Sequence, residues 1–341
     1  MSAPGVVRTA RVRNGLAAAV VTGLFLTACS GVETSSGGGG GESGADYPSG
    51  TVEMLVGASA GGSSDLISRA VSKGLSEDLD GSFPVINKPG ANGALAAAEV
   101  AKANPDGSKL AIQNASLFAI TPLAVPENEA TSLDDFDVVQ GVSRDDYVLV
   151  TNPSSGYKTI DDLKAATKEV TFGTSGVGTG AQLSCLLAYE AAGVDAKAVP
   201  FDGGAPTLTA VLGNQVDTAC MQIGEAIENV KSGKLLPLTV FGPERVAPLP
   251  DTPTAKESGL DVEVTQYRFM TVPKGTPQNV KDALVKGMKA TFATQEYKDF
   301  NTQNSLTPME LDGAAVVTQL ETDKQRYADL VKQYNLTLGE S

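Results

Sequence analysis

The sequence predicts a two-lobed α/β fold, and three observations lead to it. From residue 51 onward, short apolar runs alternate with stretches of helical period. The folded part begins near Tyr47 and is about 295 residues long, too large for one ordinary core and large enough for two. Two extended segments, 135–153 and 263–273, stand where the chain would leave one group of strand–helix units and later return to it.

Taken in order, "TVEMLVG" reads as a strand. Residues 63–79 read as a helix with Leu66, Ile67, Ala70, Val71, Leu75 and Leu79 on one stripe. "FPVINK" (83–88) is a second strand, 91–101 a helix and "GSKLAIQN" (107–114) a third strand. Strands joined by helical crossovers imply a mainly parallel sheet flanked by helices. "DFDVVQGVSRDDYVLVTNP" (135–153) holds two close extended runs, Val138 to Val142 and Tyr147 to Val150, and forms the passage to the second lobe.

There "KEVTFGTSG" is strand-like, "GAQLSCLLAYEAAG" is a helix closed by Gly193, and "AKAVPF", "QVDTAC" and "KLLPLTVFG" are strands, with "APTLTAVLG" a helix between the first two. "EVTQYRFMTVP" (263–273) is a long strand returning to the first lobe. Thr276-Pro277 supplies an N-cap and first-turn proline for a helix to about residue 293. A last helix covers about 312–334. The expected division is residues 47–149 with 268–341 as lobe one and 150–267 as lobe two, a clamshell with hinges near 148–152 and 264–269.

The N-terminus reads differently. Arg8, Arg11 and Arg13 precede the apolar stretch "GLAAAVVTGLFLTAC" (15–29), which is too short to span a bilayer as a mature helix. Leu26, small residues at 27 and 28, and Cys29 resemble the lipobox of a bacterial lipoprotein signal. That resemblance implies a signal peptide over 1–28, cleavage before Cys29 and acylation of its sulfur. The plainer alternative is an ordinary secretory signal with a chance cysteine. Residues 30–46, "SGVETSSGGGGGESGAD", make a flexible tether from Cys29 to the fold.

Composition excludes several functions. The chain has 26 basic and 40 acidic residues, and loss of residues 1–28 would leave 23 against 40, a net −17 that repels nucleic acid. An anionic ligand is still allowed, because salt screens surface charge beyond about 10 Å. The absence of histidine removes the usual nucleophile–histidine systems and the commonest metal ligand. No cysteine pair has C-x-x-C spacing, so neither a metal nor any other cofactor is expected.

"GASAGGSSDLISRA" (57–70) places Gly61, Gly62, Ser63 and Ser64 between a strand and a helix. Paired glycines let backbone N–H groups approach a ligand, and Ser63 or Ser64 would cap the helix, whose N-terminus favours an anion. A tight turn with an N-cap and no ligand explains the same residues. "TSGVGTG" (174–180) is built alike: Gly176, Gly178 and Gly180 permit close approach around Val177, while Ser175 and Thr179 add hydroxyls. Neither turn has the Gly-Lys-Ser/Thr ending of a phosphate loop.

"YPSGTVEMLVGASAGGSSDLISRAVSKGL", "NKPGANGALAAAEVAKANPDGSKLAI", "FGTSGVGTGAQL", "VPFDGGAPTLTAVLGNQVD" and "GPERVAPLPDTPTAKESGL" follow one another in order. Together they resemble the substrate-binding proteins of tripartite tricarboxylate transporters, the TctC or Bug-like family, over roughly residues 47–340. The resemblance implies a type II periplasmic-binding-protein clamshell outside the cytoplasm. It would close on a small organic acid, gripped by one loop from each lobe, and deliver it to a permease of a large and a small membrane subunit. A monomer without enzymatic activity is expected. The chain departs from the family pattern at Ala60, where a proline is usual, and at Gln182, where histidine is frequent. It departs again in "VPFDG", where Phe201 carries no hydroxyl and Asp202 reverses a charge.

Other candidates carry two readings each. Asp65 either satisfies the helix dipole or orders the loop and meets a ligand donor. Arg268 either grips a second carboxylate in the cleft or forms a surface salt bridge. Asn114, Ser116 and Gln222 follow strands and either line the cleft or cap loops. Cys185 and Cys220 form a disulfide within lobe two or stay as buried thiols. Aromatic content of 5% without tryptophan gives little support to a ring-stacking pocket. Against the receptor reading stand a ligand sensor for a membrane signalling partner and an extracytoplasmic hydrolase. No nucleophile elbow or histidine base favours the latter.

Overall fold

β1 (Glu53–Val56) is a short, almost wholly buried strand, and α1 (Ser63–Asp78) packs its Ile67, Val71 and Leu75 stripe over it. A computed structural model describes residues 47–339; the stretches read as a signal peptide and a tether, with Cys29, lie outside them. The chain continues with β2 (Val85–Asn87), α2 (Ala94–Ala101), β3 (Lys109–Asn114), α3 (Ser116–Ala119) and β4 (Phe136–Thr151). Then come α4 (Ile160–Lys164), β5 (Val170–Thr174), α5 (Gly180–Ala192), β6 (Ala196–Pro200), α6 (Gly204–Leu212), β7 (Thr218–Gln222), α7 (Ile223–Lys231) and β8 (Leu236–Val240). β9 (Thr265–Pro273), α8 (Gln278–Ala293), α9 (Gln295–Gln303), β10 (Thr307–Pro308) and α10 (Gly313–Gln333) complete it.

The strands run in the order β2-β1-β3-β9-β4-β7-β5-β6, with β8 and β10 also on β4. β1 is parallel to β2 and β3, and β5 is parallel to β6 and β7. The antiparallel pairs lie where the lobes meet. β9 runs against β3 and β4, while the last five residues of β4 run against β7 and β8. β4 is therefore shared by two strand groups, Phe136–Asp146 with β9 and Tyr147–Thr151 with β7.

Burial follows the predicted periodicities except at Leu66, a member of the predicted α1 stripe that is 38% exposed. α1 and α8 cover one face of the first group around Met54, Ile112, Met270 and Leu284. On the other face Val316 and Leu320 of α10 join Phe118, Phe136 and Phe269. In the second group α5 packs on one face and α6 with α7 on the other. Cys185 of α5 and Cys220 of β7 are bonded, with Cα atoms 5.9 Å apart, inside the ordinary range for a bridge.

Four expectations need correction. The two extended runs in 135–153 are a single 16-residue strand, in which Ser143, Asp145 and Asp146 are buried at the lobe junction despite their polarity. Pro277, not Thr276, is the N-cap of α8, because the Thr276 hydroxyl donates back to the Pro273 carbonyl at 2.7 Å. The predicted helix over 91–101 starts with a separate turn, Ala91–Gly93, in which Asn92 has φ 53°. Gly62 is the N-cap of α1 without any side-chain cap, because Ser63 and Ser64 spend their hydroxyls elsewhere.

Candidate ligand-binding cleft

Loop 57–62 leaves the carboxyl end of β1, where open α/β sheets place ligands. Its shape is held by Asp65, which is buried. The Asp65 carboxylate accepts from Gly61 N–H at 2.9 Å, from Arg69 Nε at 3.0 Å and from Asn87 Nδ2 at 2.8 Å. Burial works to raise its pKa, and these hydrogen bonds outweigh it and hold the group below the ordinary carboxylate range. Asn87 Nδ2 also donates to the Ala58 carbonyl, and Gly62 N–H donates to the Ser59 carbonyl. Asp65 thus orders the loop from within, and Gly61 and Gly62 turn their N–H groups inward. Ala60 stays exposed at the tip.

The two serines reach across to the shared strands. Ser63 Oγ donates to Asp145 Oδ2 at 3.0 Å, and Ser64 Oγ accepts from Arg268 Nε at 2.8 Å. Arg268 is not a surface residue. Only 2% of its side chain is exposed, and its Nη1 pairs with Asp145 Oδ2 at 2.9 Å. The guanidinium is therefore committed to β4 and to the first turn of α1.

The second turn follows β5. Thr179 is the N-cap of α5, accepting from Gln182 N–H, and its hydroxyl donates to the Gly176 carbonyl at 2.8 Å. Gly178 N–H is taken by Gln182 Oε1 at 2.7 Å. Among the described residues no acceptor meets the N–H groups of Ser175, Gly176 and Val177. Phe201 is half-buried beside this turn, its ring against Gly173.

The turn after β5 touches the first strand group directly. Thr121 Oγ1 and Asn92 Nδ2 both donate to the Gly178 carbonyl, at 3.0 and 3.3 Å. Asn92 also donates to Ser116 Oγ, and Asn114 Oδ1 accepts from Ser116 Oγ and from Leu117 N–H. Gln266 Nε2 links Ser116 Oγ to the Tyr147 hydroxyl, at 3.1 and 2.9 Å. Gly180 lies against that hydroxyl so closely that an added Cβ would stand 2.4 Å from it. Asn114 and Ser116 are therefore members of a buried network joining the two strand groups. Sequence reasoning missed Asn92, Thr121, Tyr147 and Gln266 in it. The "GANG" stretch gave one usable signal, since an asparagine flanked by glycines suits a left-handed turn.

A further carboxylate enters from α7. Glu225 is half-buried, with the N–H groups of Gln222 and Ser63 directed at it. Burial raises its pKa to about 7, opposed by Arg268 and reinforced by Asp145. Gln222 ends β7 opposite Tyr147, and its Oε1 is buried without a hydrogen-bond partner among the described residues. A cavity of about 50 Å³ adjoins Glu225, bounded by Gly61, Ser63, Gly224 and Asn304. A larger one, about 450 Å³, lies between α10 and the start of β4, and none of its lining residues belongs to either glycine turn.

Residues 67–336 match the family model described as "Tripartite tricarboxylate transporter family receptor". The chain belongs to that family. Relatives include a UPF0065 protein from the TAR-I ttuE-ttuC' intergenic region of Agrobacterium vitis, 32% identical over 78% of this chain and 80% of its own. Protein BugT of Bordetella pertussis is 27% identical over 84% of this chain and 90% of its own. Among solved structures, periplasmic binding protein BugD superposes with a TM-score of 0.79 at 27% identity, covering 86% of this chain and all of BugD. MatC from Rhodopseudomonas palustris with bound malate gives 0.78 at 26%, covering 84% of this chain and all of MatC. These receptors bind solutes outside the cytoplasm, and the two-lobed α/β clamshell is their shared architecture. Among the described residues no helix is long and apolar enough to cross a membrane, and no cluster of metal-ligating side chains occurs.

Proposed function

We propose that the chain is a lipid-anchored extracytoplasmic receptor that captures a small organic acid between its lobes. It delivers that acid, unaltered, to the large and small membrane subunits of a tripartite transporter. Lobe one is residues 47–149 with 268–341, lobe two is 150–267, and Cys29 carries the anchor.

One observation carries this reading: the second-lobe turn presents the N–H groups of Ser175, Gly176 and Val177 while its Gly178 carbonyl is held by Thr121 and Asn92 of the first lobe. A carboxylate beside those donors would sit at the junction of the lobes, where its binding favours closure. Gly180 and Thr179 complete that wall, with Phe201 and Gln222 beside it. Ala60 to Ser64 form the opposite wall, held from behind by Asp65 and Arg268, and Asn114 and Ser116 brace the floor. Malate in MatC supports a carboxylate as ligand class.

The test is a thermal-shift screen with calorimetry on hits, using malate, other short dicarboxylates, citrate, aromatic acids, amino acids and neutral sugars. Ligand at 100 times its Kd adds about 2.7 kcal/mol, a rise of roughly 4–5 °C for a chain this size. Stabilisation by carboxylates supports the reading, and stabilisation by neutral sugars alone overturns it.

A further inference from the structure

The α1 turn on the first lobe already faces a carboxylate of the protein itself. Two of its N–H groups, Gly61 to Asp65 and Gly62 to the Ser59 carbonyl, are hydrogen-bonded within the loop, and a third, Ser63, is directed at Glu225. Glu225 comes from the second lobe, at the first turn of α7. Its carboxylate rests so close to the first residue of α6 that a Cβ on Gly204 would lie 2.2 Å from Oε2. It therefore stands beside the N-termini of α1, α6 and α7, whose dipoles offset only part of the cost of burying its charge.

The charges there leave no cation for a second one. Arg268 of β9 acts on Glu225, yet it is already paired with Asp145 of β4 at 2.9 Å. Arg69 is paired with Asp65, and Arg144 stands 3.8 Å from Asp146. One guanidinium thus serves two carboxylates, Asp145 and Glu225, before any ligand arrives. A second carboxylate brought beside Glu225 would meet no compensating charge there, in a setting where desolvation strengthens repulsion.

We infer that Glu225 is the specificity-determining residue of this receptor, selecting acids with one carboxylate and a neutral or hydrogen-bond-donating far end over dicarboxylates and tricarboxylates. The ligand carboxylate goes to the second-lobe turn around Ser175–Val177, and its far end donates to Glu225. This rests on the carboxylate-receptor reading above and narrows the ligand class.

The test uses isosteric pairs that differ by one charge: malate against its monoamide malamate, and succinate against succinamate. Calorimetry at pH 8 on wild type is expected to favour each monoamide by about tenfold or more. Glu225→Gln should erase or invert that preference, and circular dichroism and melting verify that the variant is folded. In wild type, lowering the pH to 6 should narrow the preference as Glu225 takes up a proton, with Asp145 and Arg268 the other charged groups facing it. Tighter binding of the dianions by wild type, or an unchanged preference in Glu225→Gln, overturns the inference and leaves the carboxylate reading standing. If none of the acids binds while neutral solutes do, both fall together.

Discussion

Arg268 Nη1 stands 2.9 Å from Asp145 Oδ2, and 2% and 3% of the two side chains are exposed. The pair ties β9 to β4 beside the α1 turn, because Ser63 and Ser64 bond to the same two residues. Removing one partner leaves an uncompensated buried charge, whereas replacing both with apolar groups removes the desolvation cost as well. Arg268→Ala and Asp145→Ala are each expected to cost roughly 3–5 kcal/mol. The double change Arg268→Met with Asp145→Leu should cost less than either. Urea unfolding of the four proteins measures this, and a double variant less stable than either single would refute the coupling.

Asp65 works by holding the loop rather than by touching solvent. Asp65→Asn keeps the size but gives up the ion pair to Arg69 and weakens the acceptor for Gly61 N–H, so a loss of about 1–3 kcal/mol is expected. The folded-state pKa is lowered, so this contribution is present above the ordinary carboxyl value and fades as pH falls through the folded value. Hydrogen exchange at the Gly61 amide should quicken in the variant, and an unchanged rate would place the loop's order elsewhere.

Glu225 has the opposite sign. Its pKa is raised from 4.5 to about 7, so between those values the folded state binds more protons than the unfolded one. Stability therefore falls as pH rises through that window, by up to roughly 3 kcal/mol. Asp146, raised to about 6 mainly by burial, adds a change of the same sign and must be separated by comparison. Relative to wild type, Glu225→Gln should gain stability between pH 5 and pH 8. Parallel melting curves across that range would show that Glu225 does not carry this cost.

The Cys185–Cys220 bond closes a segment of 35 residues between α5 and β7. A loop of that length corresponds to roughly 4 kcal/mol of chain entropy. Cys185→Ala with Cys220→Ala should therefore shift unfolding of the second lobe's core far more than a surface change does. Denaturant titration of the variant against wild type measures it.

Much of the fold was legible because it rests on local pattern. The α1 stripe, the β1 and β3 apolar runs and the Gly193 stop of α5 each follow from residues within one turn or one strand. What escaped depends on partners far apart in sequence. "SRDD" in 143–146 looks like a break between strands, and only Arg268, 123 residues beyond Asp145, makes its burial tolerable. Glu225 in the first turn of α7 reads from sequence as an ordinary dipole-satisfying acid. The role inferred for it depends on α1 turning Ser63 toward it. The two glycine turns were visible as flexible points, but which of their N–H groups face inward is decided by Asp65 and Gln182, through contacts that no periodicity encodes.

Gly178 is where closure can be tested with one substitution. Its φ is +67°, a region that β-branched residues avoid, and an added Cβ would lie 3.0 Å from Ala124 Cβ and 3.2 Å from Thr121 Cα. Both obstructing atoms belong to the first lobe, so a larger side chain acts on the closed arrangement more than on either lobe's core. Gly178→Val should weaken binding of an acid identified in the screen by about tenfold or more, through loss of the Thr121 and Asn92 hydrogen bonds to the Gly178 carbonyl. Thermal unfolding without ligand should change much less than the Arg268→Ala loss. Small-angle scattering with saturating ligand should then show an expanded molecule relative to ligand-bound wild type. Full affinity together with a compact liganded form would mean that the lobes meet elsewhere, and that Gly178 serves only the shape of its own turn.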